Sequence, residues 1–294
     1  MAMIRNQRRH RMVALTLILP FTLIFAVVFA YPIAEVIRLS FTNATLIGGG
    51  EWIGLENYRE LLDDRLFYTS LKNNGYFVLL TVIPTTLIAL CIALMVQRLK
   101  GRMQALVLAM FFLPYILPVS VVTQIWAWML DFQFGILQPL LEQIAGKPVP
   151  VFKNPYWVMP SVALVTIWWT NGFNVLLLLA GLRNIPTDLY EAAALDGANR
   201  RQQFRRVTWP LLWPVVALVL TLQLILQLKI FDQIYLLSEG GPFNNSSVLL
   251  LMVYREAFQQ NNGGYAAAIS LVVFLLIVAV SVLQYQILRI RGRR

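Results

Sequence analysis

Charged residues are absent from six long stretches of this chain, and their lengths set the first prediction. The stretches are 12–34, 73–97, 103–130, 154–182, 207–228 and 257–288. Each has at least 22 residues, and an α-helix needs ~20 apolar residues to cross the hydrocarbon core of a bilayer. The pattern therefore predicts an all-α, polytopic membrane protein with six transmembrane helices in a single domain over 1–294.

The expected helices cover about 12–34, 75–97, 103–130, 156–182, 208–235 and 264–288. The first run follows four arginines, as the apolar core of a signal peptide would. However, it is longer than the usual core of about 7–15 residues, and no small-residue cleavage pattern follows it. We interpret it as a retained helix.

The distribution of basic residues predicts the orientation of the chain. The chain is 59% hydrophobic and 13% charged, with a formal net charge of +10. If the amino terminus is cytoplasmic, the inner segments 1–11, 98–102, 183–206 and 289–294 hold 16 of the 24 Lys and Arg residues. Basic residues accumulate on the cytoplasmic side of membranes, so we expect both termini inside. The basic residues are then expected to lie near membrane lipid, and nucleic-acid binding is not expected.

Few residues offer catalytic or metal-binding chemistry. Cys91 and His10 are the only residues of their types, which excludes an intrachain disulfide or a cysteine metal cluster. No nucleophile and base stand together in the membrane runs. The sequence also lacks a G-x-x-x-x-G-K-[ST] phosphate loop. We therefore expect no enzyme activity, no metal and no cofactor on this chain.

The loop between the fourth and fifth runs, 183–207, has its own pattern. Pro186 and Thr187 favour a helix start, and Glu191–Leu195 is a strong short helix. Gly197 then permits a reversal that a residue with a side chain would resist. A second helix over 199–207 carries four arginines around Phe204. An apolar knob with a charged rim is typical of a protein-docking surface, although basic juxtamembrane loops are also common.

The spacing in this loop resembles the coupling-loop signature of the permease subunits of ABC importers. The pattern E-A-A-x-x-D-G-A-x5-F-x2-V-x2-P runs from Glu191 to Pro210. The residues that the resemblance assigns to ATPase coupling are Glu191, Ala192, Ala193, Asp196, Gly197, Ala198 and Phe204. In that family the loop fits a groove on a separate ATPase subunit.

The resemblance also implies the fold, the location and the partner subunits of the transporter complex. It predicts the type I ABC importer permease fold in a bacterial cytoplasmic (inner) membrane. The expected partners are a second homologous permease subunit, an ATPase dimer that binds ATP and Mg, and a periplasmic or extracellular substrate-binding protein.

A second resemblance narrows the substrate class. The segment 230–242, ending in Gly240-Gly241-Pro242, is similar to the end of helix five in sugar permeases of the maltose type. So are 53–58 in the first outer loop and Ala257-Phe258. The resemblance points to the first of the two permease subunits and implies that a sugar or sugar derivative is carried.

Polar and aromatic residues inside the membrane runs fit that substrate. Thr166 and Thr170, and Gln223 and Gln227, are four residues apart and share helical faces. Intramembrane polar residues often line a substrate path, but they also form helix–helix hydrogen bonds, and for Ser120 and Asn174 the two interpretations weigh equally. By resemblance to the maltose-type site, the cavity-lining positions are Tyr115, Thr166, Trp169, Thr170, Phe173, Gln223 and Gln227.

Several alternatives remain open on the sequence. The chain would also fit an ABC permease for a non-sugar solute, or a stand-alone secondary transporter. Lys229 could pair with Asp232 or meet an anionic substrate. The amphipathic stretch 56–62 could be an ordinary interfacial helix or a docking ledge for an external partner.

Overall fold

The computed structural model describes residues 16–291, with side chains up to 288. The arginines at 5, 8, 9 and 11, His10, and the start of the first expected helix lie outside the described residues. Within residues 16–291 the regular backbone structure is helical. Extended pairing in this range is limited to the isolated bridges Thr42–Trp52 and Thr45–Gly48. The all-α prediction is confirmed.

The long helices follow the charge-free runs along the chain, and shorter helices lie between them. They are α1 (Thr16–Leu39), α2 (Glu56–Asp63), α3 (Arg65–Val96), α4 (Gly101–Ile116), α5 (Val119–Met129), α6 (Gln138–Ala145), α7 (Val158–Arg183), α8 (Thr187–Leu195), α9 (Arg200–Leu228), α10 (Asp232–Ser238), α11 (Leu249–Tyr254) and α12 (Gly263–Arg291). Within the described range, α1, α3, α7, α9 and α12 are long and apolar enough to cross a membrane, and α4 with α5 would make a sixth crossing.

Contacts divide the chain into two compact units. In the first, which includes residues up to Asp63 and Val253–Val272, a side-chain amide organises the loop after α1. Asn57 Nδ2 on α2 donates to the carbonyl oxygens of Ser40 and Thr42 at 2.9 Å each. Gly264 approaches the same loop so closely that an added Cβ would lie 1.9 Å from the Thr42 carbonyl oxygen. The stretch 56–62 is therefore helical and tied to the loop it follows.

The second unit, Asp64–Met252 with residues from Val273 onward, is built around α3, α7 and α9. Ala89 and Ala93 of α3 belong to one buried cluster with Leu178 of α7 and Leu212 and Val216 of α9. Small side chains let membrane helices approach closely. At Gly181 an added Cβ would lie 2.9 Å from Leu212 Cδ1, so this glycine is needed where α7 meets α9.

The third run, expected as one helix over 103–130, is broken in two. The axes of α4 and α5 differ by 99° across Leu117 and Pro118. Leu117 is extended, with ψ at 139°, because the ring of a following proline disfavours the helical conformation of the residue before it. The break directs the carbonyl of Leu117 away from a helical ladder and toward α7.

The fifth run ends earlier than the expected position near 235. Helix α9 stops at Leu228, and Phe231 has φ −146° before the short helix α10 begins. The Leu228 carbonyl, which has no helical partner, accepts a hydrogen bond from Asn74 Nδ2 at 3.2 Å. A contact from α3 therefore satisfies this end of α9.

Candidate transport path and coupling loop

The first arm of the loop after α7 is a helix with a well-formed end. Helix α8 starts after Pro186 and ends at Leu195, and Gly197 follows with φ +79°. The Ala198 amide donates to the Ala193 carbonyl at 2.9 Å, and the Gly197 amide donates to the Ala194 carbonyl at 3.0 Å. These two bonds form a Schellman motif, in which glycine takes the left-handed conformation at low cost. The reversal expected at Gly197 is thus present.

The second arm begins at a capping box. Asn199 Oδ1 accepts from the Gln202 amide at 3.0 Å, and Gln202 Oε1 accepts from the Asn199 amide at 2.8 Å. The helix continues through a π-helical turn at Phe204–Thr208, just before Pro210. Proline has no amide hydrogen to donate within the helix, and an inserted π-turn accommodates such a position.

A crevice of about 290 Å³ separates the two arms. Ala193, Asp196, Gly197 and Ala198 line it on one side, and Gln202, Gln203, Arg206 and Val207 on the other. Glu191 and Ala192 are exposed on α8. Phe204 is half-buried, with its ring centroid 6.3 Å from that of Trp209. Four of the seven predicted coupling residues therefore line one crevice.

An exposed leucine at the tip of this loop is not indicated by the sequence pattern. Leu195 is 90% exposed, although its position in a strong helix would suit a buried side chain. An isolated exposed leucine is unremarkable. Here it lies one residue before Asp196 and the crevice, so it adds apolar surface to the face that the other residues form.

The predicted aromatic residues of the membrane path lie together. The rings of Tyr115 on α4 and Phe173 on α7 stack with centroids 5.2 Å apart, and the centroid of Trp169 is 6.4 Å from that of Tyr115. Trp169 Nε1 donates to the Leu117 carbonyl at 3.2 Å, which the break between α4 and α5 makes available. At Gly172 an added Cβ would lie 2.0 Å from the Phe111 carbonyl oxygen. The close contact of α4 and α7 positions all three rings.

The predicted polar residues form a buried network. Gln223 Nε2 donates to Asn174 Oδ1 at 3.0 Å, and Gln227 Nε2 donates to Gln223 Oε1 at 3.0 Å. The exposed fractions of Asn174, Gln223 and Gln227 are 0%, 1% and 3%. The Thr166 and Thr170 hydroxyls, also buried, donate to carbonyls one turn earlier on α7. In this conformation Asn174 makes a helix–helix hydrogen bond, one of the two alternatives that the sequence left open.

Two buried polar atoms on α3 and α7 have no hydrogen-bond partner among the described residues. They are Oγ1 of Thr85 on α3 and Oδ1 of Asn171 on α7. Each lies four residues before a member of the shared α3–α7 core, Ala89 and Val175 respectively. The seam between α3 and α7 thus retains hydrogen-bonding capacity that the packed helices do not use.

A second cavity lies at the opposite end of α7 from the coupling loop. It has a volume of about 600 Å³ and is lined by the end of α5, residues 150–153 and α10. Asp131, Phe132, Lys153 and Glu239 give it both charged and aromatic walls. Its volume falls within the range of small-molecule sites, ~300–1,000 Å³.

A match to a protein-family model shows to which family this chain belongs. Residues 85–292 match the model described as "Binding-protein-dependent transport system inner membrane component". The chain belongs to this family. It is therefore a multi-pass ABC transporter permease, a membrane subunit whose family partners include separate ATPase subunits.

Curated permeases resemble the chain over most of their length. The sulfoquinovosyl glycerol transport system permease protein SmoG of Agrobacterium fabrum is 32% identical over 234 residues, 79% of this chain and 76% of that protein. The trehalose/maltose transport system permease protein MalF of Thermococcus litoralis is 32% identical over 228 residues, 77% of each. The permease family expected from the coupling-loop pattern is confirmed.

A solved structure shares the fold of the permease. A chain of a bacterial ABC transporter involved in the import of the acidic polysaccharide alginate superposes with a TM-score of 0.86 at 22% identity, covering 98% of this chain and 99% of that one. A second alginate transporter structure, in complex with an alginate pentasaccharide-bound periplasmic protein, matches equally well. The expected ABC importer permease fold is therefore confirmed.

Proposed function

We propose that this permease carries a sugar or sugar derivative into the cytoplasm as part of an ATP-driven importer. The observation that carries the proposal is the aromatic set of Tyr115, Trp169 and Phe173, in which Phe173 directly precedes Asn174 of the amide network with Gln223 and Gln227. Aromatic rings pack against the C–H faces of a sugar, and amides exchange hydrogen bonds with its hydroxyls. The carbohydrate names of SmoG and MalF support the same substrate class.

The proposed path runs from the cavity beside α10, past the aromatic set, to the cytoplasmic end of α7. Substrate delivered by an external binding protein would enter at the cavity. The hydrogen bonds between Asn174, Gln223 and Gln227 would open as substrate passes, because the same amides serve helix packing and sugar hydroxyls in turn. Thr166 and Thr170 would present their hydroxyls on the same face of α7.

The energy for the proposed transport comes from ATP hydrolysis by ATPase subunits on the cytoplasmic side, which hold ATP and Mg. The coupling surface consists of Glu191, Ala192, Ala193, Asp196, Gly197, Ala198 and Phe204. A second homologous permease would complete the path, and both termini would be cytoplasmic. All parts of the chain, 1–294, would then act as one transmembrane domain.

Substrate identity is tested first on the external binding protein that co-purifies with the tagged permease complex. Its thermal stability is measured with a panel of maltose, trehalose, arabinooligosaccharides, sulfoquinovosyl glycerol and alginate oligosaccharides, with spermidine and glycine betaine as non-sugar controls. The proposal predicts that at least one carbohydrate raises the melting temperature. Stabilisation by a non-sugar control alone would contradict it, and the pattern within the panel separates neutral from anionic sugars.

A further inference from the structure

Coupling helix α8 is bonded to membrane helix α9 through two hydroxyl groups. The Tyr190 and Thr208 hydroxyls are 2.9 Å apart. Thr208 is only 5% exposed, and the Tyr190 ring packs on the buried cluster that contains Leu182, Ile185 and Leu212. A hydrogen bond in partly buried surroundings of low dielectric is stronger than one in water. The Tyr190 side chain thus faces the buried core of the bundle and holds α8 against it.

Helix α8 is also tied to α7. Only residues 184–186 separate Arg183, the end of α7, from Thr187, the start of α8, and Ile185 in this link is buried. Helix α8 therefore bridges α7 and α9: residues 184–186 join it to α7, and residues 196–199 together with the Tyr190–Thr208 bond join it to α9. A displacement of α8 would act on both helices.

The same two helices meet again deeper in the bundle. Thr208 and Gln223 lie 15 residues apart on α9, or ~22 Å along a helix axis, and Gln223 bonds to Asn174 of α7. Helix α9 is thus hydrogen-bonded at two levels, to Tyr190 of α8 through Thr208 and to Asn174 of α7 through Gln223. Between these levels Leu212, Val216 and Val219 of α9 are buried against α7 and α3.

We propose that Tyr190 is a positioning residue that makes α9 move together with the coupling helix. Through this bond, motion that the ATPase imposes on α8 reaches the Asn174–Gln223 contact. Without it, α8 and α9 are joined only through residues 196–199 and the apolar contacts of the Tyr190 ring, and α9 follows the motion of α8 less closely. The inference rests on the proposed function and specifies how the coupling surface controls the path.

The test uses the full complex in proteoliposomes, with three single variants of this pair and one double variant. Tyr190→Phe and Thr208→Val each remove one hydroxyl with little change in volume, whereas Thr208→Ser keeps the hydroxyl and is the matched control. We expect Tyr190→Phe and Thr208→Val to lower the number of substrate molecules imported per ATP by about fivefold, as loss of one ordinary hydrogen bond would. The double variant should lose no more than either single variant, and Thr208→Ser should retain the wild-type ratio.

A second readout does not depend on the substrate. Spin labels at Asp188→Cys on α8 and Leu218→Cys on α9, in a Cys91→Ser background, report the distance between the two helices. With a non-hydrolysable ATP analogue, the distance should stay constant in the wild type and change in Tyr190→Phe. An unchanged distance and an unchanged import ratio in Tyr190→Phe would overturn the inference. A wild-type complex that imports no carbohydrate would instead contradict the proposed function while leaving the distance test valid.

Discussion

Gln223 on α9 donates a 3.0 Å hydrogen bond to Asn174 on α7, and both side chains are almost completely buried. Gln227 donates in turn to Gln223, one helical turn away. Amides in such surroundings have few other partners, so interhelical bonds of this kind contribute ~0.6–2 kcal/mol to membrane-helix association. Asn174 directly follows Phe173 of the aromatic set in the sequence of α7. The network therefore links the stability of the α7–α9 seam to the proposed substrate path.

Removing the central amide should destabilise the permease. Gln223→Leu preserves volume but leaves Asn174 Oδ1 and Gln227 Nε2 without their described partners. We expect the free energy of unfolding to fall by about 1–3 kcal/mol, measured by chemical denaturation of the detergent-purified complex. Gln124→Leu, at an exposed position on α5, should have little effect. Equal losses in the two variants would show that the network adds no stability.

A charged side chain at Gly197 should release the ATPase. Gly197 has φ +79° and Gly146 has φ +73°, and at both an added Cβ meets nothing within 4 Å. Gly197→Asp and Gly146→Asp therefore carry a similar backbone cost, ~1–2 kcal/mol, but only Gly197 belongs to the proposed coupling surface. We expect the ATPase subunit to co-purify with Gly146→Asp and to be lost from Gly197→Asp. Co-purification of the ATPase subunit with both variants would show that this surface does not contact the ATPase.

Loss of the central aromatic ring should weaken substrate handling. Tyr115→Ala removes the ring that stacks on Phe173 and lies near Trp169. Since an aromatic pair contributes ~0.5–1.5 kcal/mol beyond its buried area, we expect the KM for transport to rise by roughly tenfold. Tyr156→Ala, at an 86% exposed position, serves as the control. A KM that stays at the wild-type value in Tyr115→Ala would exclude the ring from the path.

The loop before α11 should loosen when Asn74 is replaced. Asn74 donates to the Leu228 carbonyl at 3.2 Å and accepts from the Leu249 amide at 2.9 Å. Asn74→Leu leaves both buried backbone groups without this partner, so we expect a loss of about 2–3 kcal/mol and faster proteolysis between 229 and 248. Asn245→Leu, at an exposed position in the same loop, is the comparison. Unchanged proteolysis in Asn74→Leu would contradict this role.

The sequence predicts the spans and the coupling loop because both depend on local properties. Absence of charge over about twenty residues is visible in one segment, and so are the helix, the glycine and the arginines around 191–206. The proline at 118 indicates a bend, but the 99° angle depends on how α4 and α5 pack on α7, which periodicity does not record.

The remaining features depend on contacts between distant residues. The carbonyl of Leu228, where α9 ends, accepts a hydrogen bond from Asn74, 154 positions away in the sequence. Tyr190 and Thr208 have no shared pattern, since one belongs to the coupling helix and the other to a π-helical turn 18 residues later. The faces of Thr166 and Thr170 were predictable from spacing, whereas their bonds to their own helix depend on hydroxyl orientation.

ATP-driven uptake of a labelled carbohydrate into proteoliposomes tests the central claim most directly. The complex is reconstituted with the second permease, the ATPase and the loaded binding protein, and wild type is compared with Gly197→Asp. We predict uptake in the wild type that requires ATP on the side of the coupling loop, and no uptake in Gly197→Asp. Uptake that continues without ATP, or at the wild-type rate in Gly197→Asp, would contradict the account.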